Sequence, residues 1–221
     1  MKREIVKTAD GSHSLFIEAL DEHYHSIHGA IQESKHVFIE AGLKYFPANS
    51  NLTILEIGFG TGLNALTTLL ANESRQNKIN YIGVEAYPVT LEEAASLNYI
   101  EELDAVSHQV EFDKMHTSAW ESKVVVNSNF ILTKMQVKFE DLQLEPESID
   151  LIYFDAFAPS AQPELWEANI FENLYRSLKN GGILVTYCAK GSVKRTLKSV
   201  GFTLEALPGP KGKREMTRAV K

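Results

Sequence analysis

The spacing of hydrophobic and polar positions changes period repeatedly along this chain, and the changes predict alternating strands and helices. Two short alternating runs, Ile5–Ala9 and Ser14–Ile17, flank Asp10-Gly11 and predict a hairpin. Ile31, Ser34, Val37, Phe38 and Ala41 recur at helical spacing, so one helix is expected from Ala30 to about Phe46. Pro47 and Asn49-Ser50 end it. Beyond residue 51 the pattern predicts strand 52–57, helix 63–71, strand 79–85 and helix 90–103. It assigns no element to 104–121. A hairpin is expected over 122–140, turning at Asn127-Ser128-Asn129, with its second arm running into Met135–Phe139. Strand 149–154 and helix 164–179 follow, with Asn180-Gly181-Gly182 as the helix stop. Strand 183–188, helix 191–200 and closing strands near 202–207 and 215–220 complete the order.

That order predicts an α/β fold of the doubly wound, Rossmann-like kind. Its sheet is mostly parallel and binds ligand at the carboxyl ends of the strands. Residues 1–50 are expected as an N-terminal extension packed on a core of 51–221, within one compact domain.

Composition narrows the class. A chain of 221 residues with 44% hydrophobic and 23% charged content is ordinary for a globular protein. No apolar run approaches the ~20 residues that span a bilayer. Met1-Lys2-Arg3-Glu4 leads into no apolar stretch, so no signal peptide is expected and the cytoplasm is the default. Cys188 is the only cysteine, which excludes an internal disulfide and a cysteine-rich zinc site. Histidines 13, 23, 25, 28 and 36 crowd the N-terminal segment, but their spacing fits no zinc motif and no metal is expected.

Charge is unevenly spread. From Lys190 onward nine Lys or Arg face only Glu205 and Glu215. Of the net −7, the tail contributes near +7 and the first 189 residues near −14. A basic segment on an acidic body hints at a polyanionic partner.

The candidate chemistry lies at strand ends. Residues 55–62, Leu-Glu-Ile-Gly-Phe-Gly-Thr-Gly, carry Gly58, Gly60 and Gly62 at alternate positions. A strand turning sharply into a helix needs glycine where a Cβ would block a ligand. The dinucleotide fingerprint places its third glycine one residue later. Glu56, just before the loop, would repel a pyrophosphate but suits a ligand carrying an ammonium or sulfonium. Together these features point to S-adenosylmethionine. Glu85, at the end of strand 79–85, is placed to take the ribose hydroxyls, or else to cap a helix begun by Pro88 and Thr90. Glu140-Asp141 closes the third core strand, where Asp141 would meet the adenine amino group unless the pair is plain exposed loop.

Asp155-Ala156-Phe157-Ala158-Pro159 follows strand 149–154 at its tip. Asp155 there can orient an acceptor amine and take its proton, or cap the next helix. Phe157 can pack on a planar group, and Pro159 can stiffen the loop. An alkylamine costs about 4.6 kcal/mol to deprotonate at pH 7. Asp155 therefore serves as a base only if a dry site raises its pKa, or if the acceptor's own pKa is low. Cys188 reads as a core residue of the fifth core strand, which disfavours methylation of a pyrimidine carbon through a cysteine nucleophile.

Taken in order, these segments resemble a known family. Asp10-Gly11-Ser12-His13, Asp21-Glu22-His23-Tyr24-His25-Ser26 and Gly29-Ala30-Ile31-Gln32-Glu33-Ser34 begin the match, with His36-Val37-Phe38 after them. Gly58-Phe59-Gly60-Thr61-Gly62-Leu63-Asn64, Asp155-Ala156-Phe157-Ala158-Pro159, Pro163-Glu164-Leu165-Trp166 and Lys213-Arg214-Glu215-Met216 continue it. The chain is similar to the methyltransferase domain of the tRNA 5-methylaminomethyl-2-thiouridine biosynthesis bifunctional protein, and still more to its stand-alone relatives. Gln162 departs from the asparagine that often precedes the Pro-x-x-Trp segment.

The resemblance implies S-adenosylmethionine-dependent N-methylation of a 5-aminomethyl group on the wobble (2-thio)uridine of tRNA. It places Thr61 and Asn64 with the glycines at the cofactor, and Tyr24 and Gln32 at the substrate. Lys190, Lys194, Arg195, Lys198, Lys213 and Arg214 would clamp the tRNA backbone around the anticodon. In fused relatives a flavin-dependent domain first removes a carboxymethyl group. With the chain stopping at Lys221, an upstream enzyme is expected to supply the aminomethyl substrate. A small-molecule amine methyl- or aminopropyltransferase on the same core stays open as an alternative, as does a non-catalytic RNA-binding module. A nicotinamide-dependent oxidoreductase conflicts with the glycine spacing and with Glu56.

Overall fold

The computed structural model describes residues 2–221. The Asp10-Gly11 turn joins β1 (Glu4–Lys7) to β2 (His13–Ile17), and the short β3 (Glu22–His23) pairs with β2 as a third strand. The segment expected as one helix is instead built of three pieces. A turn of α1 (Ala30–Ser34) passes into a π-helical stretch at Lys35–Glu40 and then a 3-10 turn at Leu43–Tyr45. The Ala41 amide reaches back to the His36 carbonyl, the wide spacing of a π turn. Widening keeps Val37, Phe38 and Ile39 all buried, which a regular helical stripe does not do.

The core sheet is assembled from β4 (Asn51–Ile57), β5 (Lys78–Val84), β6 (Lys123–Asn127), β7 (Phe130–Met135), β8 (Ile149–Phe154), β9 (Leu178–Thr186), β10 (Thr203–Pro208) and β11 (Glu215–Val220). Its spatial order is β10-β11-β9-β8-β4-β5-β7-β6. The strands β9, β8, β4, β5 and β7 pair in parallel, while the edge pairings β6–β7, β9–β11 and β11–β10 are antiparallel. From β4 the chain moves outward through β5 on one side and through β8 on the other. That reversal opens a crevice at the carboxyl ends of β4 and β8, where open α/β sheets bind ligands.

Both faces of the sheet are covered, which explains why β4 and β8 are apolar runs rather than alternating ones. One face carries Leu15, Phe38, Leu66, Tyr81 and Tyr153, so the N-terminal segment shares a core with α2 (Leu63–Asn72). The other carries Leu55, Phe154, Trp166, Phe171 and Leu197, contributed partly by α6 (Ala168–Ser177) and α7 (Gly191–Ser199).

Three further differences from the pattern have local causes. The helix expected over 90–103 breaks into α3 (Leu91–Ala95), capped by Thr90 and Glu93, and α4 (Tyr99–Glu102). Asn98, at the break, accepts from the His13 amide at 2.7 Å and donates to the Gly11 carbonyl at 3.0 Å. Its side chain thus clamps the hairpin turn. The unassigned stretch holds α5 (Gln109–Thr117), whose buried residues are only Phe112 and Met115, too thin a stripe to show as periodicity. Helix α6 ends at Ser177, and Asn180-Gly181-Gly182 lies inside β9, where the Gly181 amide donates to Lys221 of the last strand's end.

Gly58 has φ +86, and a Cβ there would lie 2.5 Å from the Asp155 carbonyl oxygen. Gly181 has φ +76 but open space around it. Gly58→Ala should therefore lose clearly more stability than Gly181→Ala, which carries only the left-handed cost of about 1–2 kcal/mol. Urea unfolding of both variants checks this, and equal losses would show that the close approach of the two loops carries no energy.

Candidate functional site

A cavity of about 600 Å³ opens at the carboxyl ends of β4, β5 and β8. Its floor is the loop 57–61, its sides are Val84–Tyr87 and 155–158, and its roof is the segment Glu22–Ile27. The roof is fixed by Tyr24. Its hydroxyl accepts from Arg3 Nε at 2.8 Å, and its ring meets Phe157 edge-on at 5.2 Å. A Cβ on Gly60 would come within 3.1 Å of the Tyr24 ring, so the glycine is what lets roof and floor close together. The Trp166 indole donates to the Phe157 carbonyl at 2.9 Å and pins the loop after β8.

Glu85 stands between two backbone amides. It accepts from Gly60 at 2.9 Å and from Tyr87 at 2.9 Å, so its carboxylate is oriented along the cavity edge. Thr61 is buried and takes a hydrogen bond from the Tyr99 hydroxyl at 3.1 Å. His25 lies beside it, 3.4 Å from the Thr61 hydroxyl, and desolvation lowers its pKa to about 4, which leaves the ring neutral.

One amide ties the acids together. Asn64 Nδ2 donates to Glu56 at 2.8 Å and to Asp155 at 2.8 Å, while its oxygen accepts from Ser34 at 2.7 Å. Asp155 is half-buried as a residue, but its carboxyl is desolvated in the wall. That desolvation, helped by the nearby Glu33 charge, pushes its pKa up to about 7 against the opposing pull of Asn64 and Lys213. A carboxyl poised there can exchange a proton near neutrality. It caps no helix in this arrangement.

Near Asp155, Lys213 donates to Glu33 at 2.7 Å and stands 3.8 Å above the centre of the Tyr187 ring. The Tyr187 hydroxyl donates to the Ala156 carbonyl at 2.9 Å.

Of the residues singled out by the sequence, Tyr24, Gly58, Gly60, Thr61, Asn64, Glu85, Asp155, Phe157 and Lys213 line this cavity. Others do not. Glu56 is fully buried beneath the loop, with Asn64 and the Tyr81 hydroxyl (2.8 Å) on its two oxygens, and burial holds its pKa well above the carboxylate range. The expected direct attraction between Glu56 and a sulfonium is corrected to support from below. Gly62, φ +73, begins α2 and faces His116. Asp141 falls in a 3-10 turn beyond β7, and its neighbour Glu140 is the acid that lines the cavity. Gln32 turns to the Lys211 amide at 3.3 Å. Pro159 lies past the lining of the loop. Lys190, Arg195 and Arg214 are exposed outside it, and Lys194 pairs with Glu215 at 2.8 Å. The sequence reading passed over Glu33 and Tyr187, and it left His25 among the N-terminal histidines open between hydrogen bonding at the acceptor pocket and plain surface; His25 lines the cavity. Glu33 and His25 lie inside the segments that carry the resemblance, and Tyr187 directly follows the end of a core strand, as Asp155 does.

Comparison with known proteins agrees with this geometry. A family described as S-adenosyl-L-methionine-dependent methyltransferase matches residues 102–221. The chain belongs to that family. S-adenosylmethionine is therefore its cofactor, and the positive-φ glycines and the Glu85 edge fit a nucleoside with a charged tail. The crystal structure of MNMC2 from Aquifex aeolicus is similar over 99% of this chain and 69% of that one, with a TM-score of 0.80 and 25% identity. The tRNA 5-methylaminomethyl-2-thiouridine biosynthesis bifunctional protein MnmC of Leptospira interrogans is 31% identical over 214 residues, 90% of this chain and 32% of that protein. The protein of the same name from Magnetococcus marinus is 34% identical, covering 90% of this chain and 31% of the relative. The chain thus spans about a third of the length of these curated relatives. No helix among the described residues is long and apolar enough to cross a membrane.

The raised pKa of Asp155 has a consequence for this methyltransferase's stability. An unfolded aspartate ionises near 3.9, below the folded value of about 7. Between those values the folded chain binds more protons, so its stability falls as pH rises through that window. Asp155→Asn removes the effect. Its melting temperature should gain on the wild type between about pH 4 and about pH 8. A constant offset across that range would mean the Asp155 carboxyl is not held protonated by the fold.

Proposed function

We propose that this methyltransferase transfers a methyl group to the amine of a 5-aminomethyl substituent on the wobble (2-thio)uridine of tRNA. The observation that carries the reading is Asp155, a desolvated carboxyl with pKa about 7 facing the cavity from the strand end next to the glycine loop. Relatives named for tRNA 5-methylaminomethyl-2-thiouridine biosynthesis, matched over 90% of this chain, support the substrate class.

Gly58, Gly60 and Thr61 would cradle the cofactor, with Glu85 on its ribose and Glu140 near the base. Bound there, S-adenosylmethionine supplies a methyl group on a cationic sulfur, open to in-line displacement by an amine. The protein's part is alignment and proton handling. Holding the two reactants in line is worth up to roughly 7–11 kcal/mol in well-oriented systems. Asp155 orients the amine and takes its proton. Asn64 keeps the carboxylate aimed, and the anchored Phe157 offers a ring face to the uracil. Lys190, Arg195, Lys198, Lys211 and Arg214 remain for the phosphates.

A second reading is a methyltransferase for a small-molecule amine. One observation favours it: of the basic tail only Lys213 lines the cavity. The tRNA reading has the better support, because Lys190 follows the carboxyl end of β9 and Arg214 adjoins Lys213, both on the cavity's side of the sheet.

Two outcomes are expected. Glu85→Ala should weaken cofactor binding by roughly 1.5–3 kcal/mol in calorimetry, the range for hydrogen bonds to a charged group. An unchanged dissociation constant removes Glu85 from the site. Purified protein given cofactor and tRNA bearing the aminomethyl group should yield the methylaminomethyl nucleoside by mass spectrometry. The rate should rise with pH through about 7, and Asp155→Ala should abolish turnover with cofactor affinity intact. Methylation of free alkylamines with no change in tRNA nucleosides would hand the case to the second reading.

A further inference from the structure

Lys213 lies in the loop between β10 and β11 and reaches α1 through its side chain. Its ammonium meets the Glu33 carboxylate at 2.7 Å and the Tyr187 ring at 3.8 Å. Glu33 has a side chain only 7% exposed, and its other oxygen accepts from the Ser26 amide at 3.1 Å. A buried carboxylate beside an aromatic face is a receptor for an alkylammonium. Among the acids of the cavity Glu33 therefore competes with Asp155 for an incoming amine, and only Asp155 leads to transfer. An amine held by Glu33 would stay protonated, with no lone pair to donate.

We propose that Lys213 acts as a built-in occupant of the Glu33–Tyr187 ammonium site, so that the acceptor amine engages Asp155 alone. This rests on the reading that the acceptor is an amine. Lys213 also places a fixed positive charge in the cavity, which disfavours protonation of a neighbouring amine. The other groups around it do not replace that role. His25 is held neutral by desolvation, and Tyr187 and Cys188 are pushed further from ionisation by burial. Glu22, Glu85, Glu140 and Glu164 line the cavity as additional acids, and on its own loop Glu215 is taken by Lys194. Arg214 next to it is exposed outside the lining. Without Lys213 this wall is acidic.

The test uses Lys213→Met and the double variant Glu33→Gln with Lys213→Met. Calorimetry with n-propylammonium chloride should show Lys213→Met binding about tenfold more tightly than wild type, and the double variant losing that gain. With aminomethyl tRNA, Lys213→Met should lower kcat and move the acid limb of its pH profile up by about one unit. KM should stay level or fall, and the double variant should return the limb to the wild-type position. No gain in propylammonium binding overturns the proposal, as does a limb that stays in place or fails to return in the double variant. A raised KM with a flatter salt dependence and an unmoved limb would make Lys213 a phosphate contact and overturn it as well. If the wild type leaves the tRNA unmodified while the propylammonium result holds, the tRNA assignment fails and the occupant role stands.

Discussion

The arrangement turns on a single side-chain amide. Asn64 sits one residue into α2 and spends both its N–H groups on carboxyls from different strands, Glu56 of β4 and Asp155 just after β8. Its oxygen is held by Ser34 from α1, so four separate segments meet at one planar group. Two carboxyls brought this close would repel if both ionised. Burial keeps Glu56 toward its neutral form, and the amide supplies each with a donor, so the pair is tolerated. The glycine loop, the strand end and the N-terminal segment take their relative positions from this junction.

A second balance runs across the cavity. The glycine loop and the roof approach closely because Gly60 lacks a side chain, and that closeness dries the space between them. Burial of its own carboxyl raises the Asp155 pKa, the condition the sequence set for an aspartate to serve as a base. Glu33 pushes the same way, and Lys213 and Asn64 push back. The value near neutrality is a compromise among these groups rather than a property of Asp155 alone.

How much of this was legible follows from the kind of signal involved. The central strands, the glycine loop and Asp155 at its strand tip could be read because apolar runs, glycine spacing and strand ends are local. The break at Asn98 could not, because its cause is the hairpin turn some 87 residues away. The π-helical stretch at Lys35–Glu40 kept a helical pattern and hid its change of pitch. Glu56 misled for a related reason. Its place before the glycines suggested contact with ligand, whereas β4 is buried on both faces and Tyr81 lay ready to receive it. Asp141 and Glu140 differ only by the phase of a short turn, which spacing does not resolve. The basic tail was legible as a charge excess, but the inward turn of Lys213 and the Lys194–Glu215 pair are tertiary facts.

The roof of the cavity is tied down by very distant parts of the chain. Arg3 holds Tyr24 and reaches Glu93, 90 positions later, while Lys213 holds Glu33 across 180 positions. The sheet itself pairs Ile54 with Leu151, so the roof is held by contacts of the same long range as the core. Residues as far apart as Arg3 and Lys213 therefore share in holding the cavity's cover, so a substitution at either reaches the site from far away in sequence.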